Sequence, residues 1–469
     1  MIEVNQAAVP GAPGDVERLV ADDRPRRRQI AWALYECARN PFYVLINIYV
    51  FSAYFANQVV GDPVWGQALW GYILSTAAIF IALSAPLLGT IADAGGRRKP
   101  FLIGCILVAV PSTAVLTFAV PNMGGGLYLI AAALVVVNIG YELSSIFYNA
   151  LLPQVASPRR YGSVSGLAYA LANGAGILLF GAYLFADWAL APDANSGILQ
   201  RAVPLVVAIW WLVFSLPILL RVPDPARSAM PLGTVVRDGL KRLGQSVTRL
   251  RAMPNVFHYL LARMVFNEGF IILMMFMGVV GAGVLGWSGV QLSVMGLALS
   301  FVALGGSLFG GRLDDRLGSK ASLQISILGC VVANLLLITI APDTVLFVAT
   351  DPHLTGGLFP RAADKAFFLA EGLAAFFVTA GLVSSRAMLA KIAPPASLNE
   401  MFGIYALSGT ATSFLGPLSI AALTQAFSSQ RAGLTAGLLF LLGGLFLLRR
   451  VSAGRNDAQD GGDRSGMPA

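Results

Sequence analysis

Long apolar runs broken by short polar stretches make up most of this chain. Between Phe42 and Ile91 the one charged residue is Asp62, and between Pro100 and Tyr141 there is none. A helix that crosses a membrane needs about 20 mostly apolar residues. Twelve runs qualify: 32–56, 68–92, 100–120, 126–151, 163–186, 202–221, 255–280, 287–311, 321–342, 364–391, 400–426 and 431–449, numbered here as spans 1 to 12. The pattern predicts an all-α membrane protein with twelve transmembrane helices lying in the lipid bilayer.

Composition agrees with the pattern. Of 469 residues 57% are hydrophobic and 12% charged, against about 25% charged in soluble domains, and the mean hydropathy is +0.72. The net charge of +8 does not point to nucleic acid, because its basic residues sit in short loops between apolar runs and set topology instead. One side collects Arg24 to Arg28, Arg97, Arg98, Lys99, Arg159, Arg160, the basic residues of 222–254, Arg312, Arg316, Lys320, Lys391, Arg449 and Arg450. The other keeps Arg201, Arg361, Lys365 and Arg431. That asymmetry predicts both termini in the cytoplasm, with the protein in the cell membrane. Residues 1–23 are polar and acidic and lack the apolar stretch of a secretory leader.

The predicted organisation follows: a cytoplasmic tail (1–29), a six-helix bundle (30–221), a cytoplasmic linker (222–254) whose pattern suggests a surface-lying amphipathic helix, a second six-helix bundle (255–450) and a C-terminal tail (451–469). A monomer is expected. Cys37, Cys105 and Cys330 are isolated, and His258 and His353 have no Cys or His beside them, so neither a disulfide framework nor a metal site is expected. No cofactor is indicated: "GAGVLG" (281–286) follows a spanning helix instead of a strand, and no Walker A lysine occurs.

The two bundles repeat each other. Gly89, Asp93 and Gly96 have the spacing G-x3-D-x2-G, followed by Arg97 and Arg98; Gly311, Asp315 and Gly318 have the same spacing 222 residues later. Pro153 and Gly162 after span 4 return as Pro394 and Gly403 after span 10, at an offset of 241. Duplicated halves are the sequence mark of a transporter built from repeats. The glycines reverse the chain in a short loop. An Asp at the C-terminal end of a helix opposes the dipole and needs a partner, so Asp93 reads either as a topology-fixing turn or as a conformational latch; its duplication favours the latch.

This loop resembles the signature loop between the second and third helices of the major facilitator superfamily, and 311–320 resembles its second-half counterpart. Four further stretches, "WALYECARN" (32–40), "FYNALLPQVASPRRYGSVSG" (147–166), "LLARMVFNEGF" (260–270) and "SSRAMLAKIAPPASLNEMFGIYALSGTATSFLGP" (384–417), resemble the autophagy-type vacuolar effluxers and their bacterial relatives, the "unknown major facilitator" branch. Glu36 stands where that branch has Asp, and Leu382 where it has Gln. The resemblance implies two six-helix pseudo-repeats around a central cavity, alternating access, and efflux of amino acids or similar solutes.

Ionisable residues inside a span are costly and mark candidate function. Glu268, halfway through span 7 with Asn267 beside it and Arg263 a turn earlier, is the first candidate. It reads as a proton or substrate site, or as half of a fixed pair with Arg263. In span 4, Asn138, Glu142, Ser145 and Asn149 fall on one helical stripe that should face a cavity or another helix. Glu36 and Arg39 open span 1, near an inner gate or as an interfacial pair. These features predict a secondary transporter of a small solute, amino acids being the solute class and protons a coupling ion. A membrane enzyme would need paired carboxylates or a His/Ser constellation, which the sequence does not offer. The remaining alternative is a non-transporting scaffold or sensor with a transporter fold.

Overall fold

The computed structural model describes residues 25–94, 97–156, 160–191, 197–224, 248–350, 356–394 and 398–452, with Arg237, Lys241 and Gly244, and without the side chains of 89–94, 161–162, 398–400 and 406. Among these, twelve helices are long and apolar enough to cross a membrane: Arg26–Val59, Pro63–Leu88, Lys99–Phe118, Gly126–Ala150, Ser163–Leu190, Ile198–Arg221, Pro254–Met275, Gly289–Leu317, Ser319–Thr339, Ala362–Ile392, Met401–Ala426 and Gln430–Leu448. They coincide in order with spans 1 to 12. Most of the linker expected as an amphipathic helix lies outside the described residues.

Prolines set two of the irregularities inside the spans. A helical proline has no N–H and leaves the carbonyl four residues earlier without its bond. In span 1, Pro41 frees the carbonyl of Cys37, and Trp210 Nε1 of span 6 donates to it at 2.9 Å. The helix then widens into π-helical turns over Phe42–Tyr49. In span 11, Pro417 removes the bond to Ser413, and the span divides into Leu398–Ala411 and Leu415–Ala426.

Packing reproduces the twofold organisation. One hydrophobic core is built almost wholly from spans 7–12, around Phe266, Phe270, Met295, Phe367 and Leu441. Another is built mostly from spans 1–6, around Phe42, Phe55, Trp70, Leu134 and Trp211. The second also takes in Ile272, Phe276 and Val279 from span 7 and its continuation, so span 7 ties the halves together.

With twelve spans among the described residues, the start of span 1 and the end of span 12 lie at one end of the bundle. The hydrogen bonds that join described residues of the two halves lie toward the other, far end. Gln67 Nε2 of span 2 donates to Thr424 Oγ1 of span 11 at 2.8 Å and to the Gln430 carbonyl at 3.0 Å. Gln430 Nε2 returns a bond to the Pro63 carbonyl at 2.9 Å, and Tyr72 donates to Gln425 Oε1 at 2.7 Å. Deeper in, Ser75 reaches the Phe414 carbonyl at 3.2 Å. The halves are therefore fastened together at the far end.

Candidate functional site

Span 7 carries the central acid. Glu268 has no exposed surface. Its Oε2 accepts the backbone N–H of Gly416 at 2.9 Å. Gly416 lies in the first turn of the second segment of span 11, where amides lack intrahelical acceptors and the dipole is positive. A carboxylate there satisfies both. Among the described residues none donates to Glu268 Oε1 at hydrogen-bonding distance, although the Thr412 hydroxyl lies near the carboxylate. The break also touches span 7 through Thr412, whose hydroxyl donates to the Met264 carbonyl at 3.4 Å.

Arg263 does not form an ion pair with Glu268. Its Nη1 donates to the Tyr405 carbonyl at 2.8 Å and to Ser408 Oγ at 2.7 Å, and its guanidinium carbon sits 3.5 Å from the centre of the Tyr405 ring. Around it, the Ser385 hydroxyl joins Tyr259 Oη at 2.8 Å and Tyr405 Oη at 2.9 Å. Asn267 is half-buried.

The first half holds a related cluster. Arg39 Nε lies 2.9 Å from Glu36 Oε2, and its guanidinium carbon is 4.1 Å from the Tyr141 ring centre on span 4. The span 4 stripe divides by depth. Asn138 is buried and accepts from Asn47 Nδ2 of span 1 at 2.8 Å; Glu142 is half-buried and within the field of Arg39; Asn149 is exposed.

Gly89, Asp93 and Gly96 lie outside what the structure describes at side-chain level. Their basic neighbours are anchored. The N–H groups of Arg98 and Lys99 donate to Asp224 Oδ1 at 2.8 and 3.1 Å, capping span 3. Arg98 Nη1 reaches the Ala150 carbonyl at the end of span 4, and Lys99 Nζ reaches the Leu219 carbonyl near the end of span 6 at 2.7 Å. Arg97 is exposed. In the second copy Asp315 is exposed, while its neighbour Asp314 is buried and pairs with Lys391 Nζ at 2.6 Å. That pair joins spans 8 and 10 of one half. Gly311 is half-buried, and Gly318 adopts a φ of +81°, a conformation open to glycine.

The cluster of Tyr259, Ser385, Tyr405 and Ser408 was not among the sequence-based candidates. A signal for it exists. Tyr35, Ala38 and Arg39 recur as Tyr259, Ala262 and Arg263, at an offset of 224. Ser144, which neighbours Tyr35, recurs as Ser385 at the same offset of 241 that relates the two prolines. A second buried acid, Glu371 of span 10, is 2% exposed and has an unpartnered Oε1.

A family model described as "Vacuole effluxer Atg22 like" matches residues 58–460. The chain is 26% identical over 429 residues to the uncharacterized MFS-type transporter YxiO of Bacillus subtilis (strain 168), covering 89% of this chain and 93% of that protein. It is 23% identical over 263 residues to autophagy-related protein 22 of Cryptococcus neoformans var. neoformans serotype D, covering 55% of this chain and 45% of that one. Among solved structures, a D-xylose-proton symporter superposes with a TM-score of 0.65 at 16% identity, covering 91% of this chain and 98% of the other. A bacterial homolog of the human lysosomal transporter Spinster, inward-facing and occupied, gives 0.61 at 16% identity, covering 94% and 97%. These structural likenesses bear on the fold.

Proposed function

This chain belongs to the Atg22-like vacuole effluxer family and is a multi-pass major facilitator transporter; we propose that it couples proton movement to the efflux of amino acids or related small metabolites by alternating access. The observation that carries the reading is the state of Glu268: wholly buried, one oxygen on the Gly416 amide, the other accepting no bond at normal distance from a described residue.

An ionised Glu268 holds the positive end of the helix Leu415–Ala426. Adding a proton removes the charge that favours this contact and converts one oxygen to a donor, which loosens the joint at 412–414. The two segments of span 11 carry different duties. The first presents Tyr405 and Ser408 to Arg263; the second presents Thr424 to Gln67. A proton on Glu268 therefore acts on the joint between the central cluster and the fastening at the far end. Discontinuous helices beside binding sites are a recurring device of secondary transporters.

In this reading the halves 30–221 and 255–450 rock about the central site, 222–254 links them, and Asp93 is the latch whose contact exists in one state. Both termini are cytoplasmic and the transporter works as a monomer in the cell membrane. The Lys/Arg asymmetry of the loops supports that orientation. The deciding experiment uses reconstituted vesicles: an imposed pH gradient should drive amino-acid movement against its own gradient, and a protonophore should abolish it. Movement insensitive to the protonophore would leave only facilitated diffusion.

A further inference from the structure

The buried acid of span 10 has no task in the mechanism above. Glu371 is almost wholly buried, and among the described residues none donates to its Oε1 at hydrogen-bonding distance. The helices packed against it bring no counter-charge. Span 8 carries no titratable residue from Gly289 to Gly311, and the continuation of span 7, Met277–Leu285, carries none. Span 9 offers only Cys330 between Ala321 and Thr339. In span 7 proper Glu268 is held by Gly416, and Arg263 by Tyr405 and Ser408 of span 11. On span 10 itself Asp364 pairs with Arg361 at 2.7 Å and Lys365 is exposed, while Arg386 and Lys391 lie toward the inner end. From the first half, Tyr49 of span 1 lies in the fields of Glu371 and Tyr43. A carboxylate buried without a counter-charge is so costly that the group takes up a proton instead.

Tyr49 belongs to the first half but is seated in the second. A Cβ at Gly278 would stand 2.9 Å from its Cα, and a Cβ at Gly296 would stand 2.9 Å from its Cδ2, so span 8 and the continuation of span 7 close on it. Phe180 of span 5 meets its ring edge-on. Glu371 lies nine residues from Ala362, the far-end start of span 10, which is about 13 Å along the helix. The fastening through Gln67, Thr424 and Gln430 closes that end. We propose that Glu371 is a proton-binding site separate from Glu268, holding a proton while the far end is closed and exchanging it with water on the far side when that end opens. Parting the halves there withdraws Tyr49 with span 1 and admits water to the acid. The carboxyl then passes its proton to water, leaving a carboxylate, and takes one back before the halves close. The inference rests on the alternating-access reading above and adds the side from which this proton comes; it requires nothing of Glu268.

Infrared absorption reads the proton directly, because a protonated carboxyl has a carbonyl band that carboxylates and amides lack. The purified protein is measured in dodecyl maltoside, which has no ester carbonyl, near neutral pH. The difference between the parent and Glu371→Gln should show such a band, and Glu268→Gln should keep it. On transfer to heavy water the band moves as O–H becomes O–D. Gln67→Ala with Thr424→Val, which weakens the far-end fastening, should speed that move about tenfold, in step with the population of the open far end. Should Glu371→Gln not fold, Glu371→Asp should shift the band instead. No band in the difference, or a band that Glu371→Asp leaves in place, would overturn the site. A band that exchanges no faster in the double variant would make Glu371 a fixed neutral acid and overturn it equally. The band reports Glu371 whether or not transport is proton-driven, so a failure of proton coupling and a failure of this site are separate results.

Discussion

The carboxylate of Glu268 in span 7 meets the backbone amide of Gly416 in span 11 at 2.9 Å, at the point where Pro417 breaks that helix. One contact thus joins the first helix of the second half to the joint in a helix that reaches across to the first half. A Cβ at position 416 would stand 2.9 Å from Glu268 Oε2 and 3.3 Å from the Glu268 carbonyl oxygen. Gly416→Ala should displace the carboxylate and lower stability by about 1.5–3 kcal/mol, the range for a hydrogen bond to a charged group. In a double-mutant cycle with Glu268→Ala, which removes the acceptor, the two losses should fail to add; additive losses would show that the contact carries no energy.

The far-end fastening gives a second expectation. Gln67→Ala with Thr424→Val removes the two bonds that Gln67 Nε2 donates, to Thr424 Oγ1 and to the Gln430 carbonyl. At about 1 kcal/mol each, the loss should shift the balance toward far-end opening by about tenfold or more. Spin labels on the loops near Gly61 and Phe427 should report a larger long-distance population. An unchanged distribution would mean that the fastening does not govern closure.

Trp210 supplies a third test. It bonds the carbonyl that Pro41 frees. Trp210→Phe should cost about 1–2 kcal/mol in thermal stability. Adding Pro41→Ala restores an internal donor to Cys37 and should recover part of that loss. No recovery would assign the cost to packing of the indole alone.

The spans, their order and the twofold repeat were legible because lipid imposes long apolar runs and loops impose charge. What faces what was less so. Asp314 and Asp315 are adjacent on one helix, about 100° apart, and only the rotation of span 8 against span 10 selects Asp314 for Lys391. Equally, Arg98 and Lys99 read as loop charges that set topology, yet they close the ends of spans 4 and 6. Pro417 announces a break in span 11, but that Glu268 answers it follows from packing between helices far apart in sequence. Spacing along span 7 leaves open a pair between Glu268 and Arg263; the Tyr405 ring and carbonyl and the Ser408 hydroxyl of span 11 take up Arg263 instead.

The measurement that bears most directly on proton coupling is transport by Glu268→Gln in reconstituted vesicles. Glutamine keeps the size of the side chain and an oxygen to accept the Gly416 amide, but it has no proton to exchange. The variant should retain solute exchange within about threefold of the parent. It should lose accumulation driven by an imposed pH gradient, along with the pH change that solute movement otherwise produces. Glu268→Gln accumulating solute at the parent's level under the same gradient would contradict the assignment of Glu268 as the coupling carboxylate.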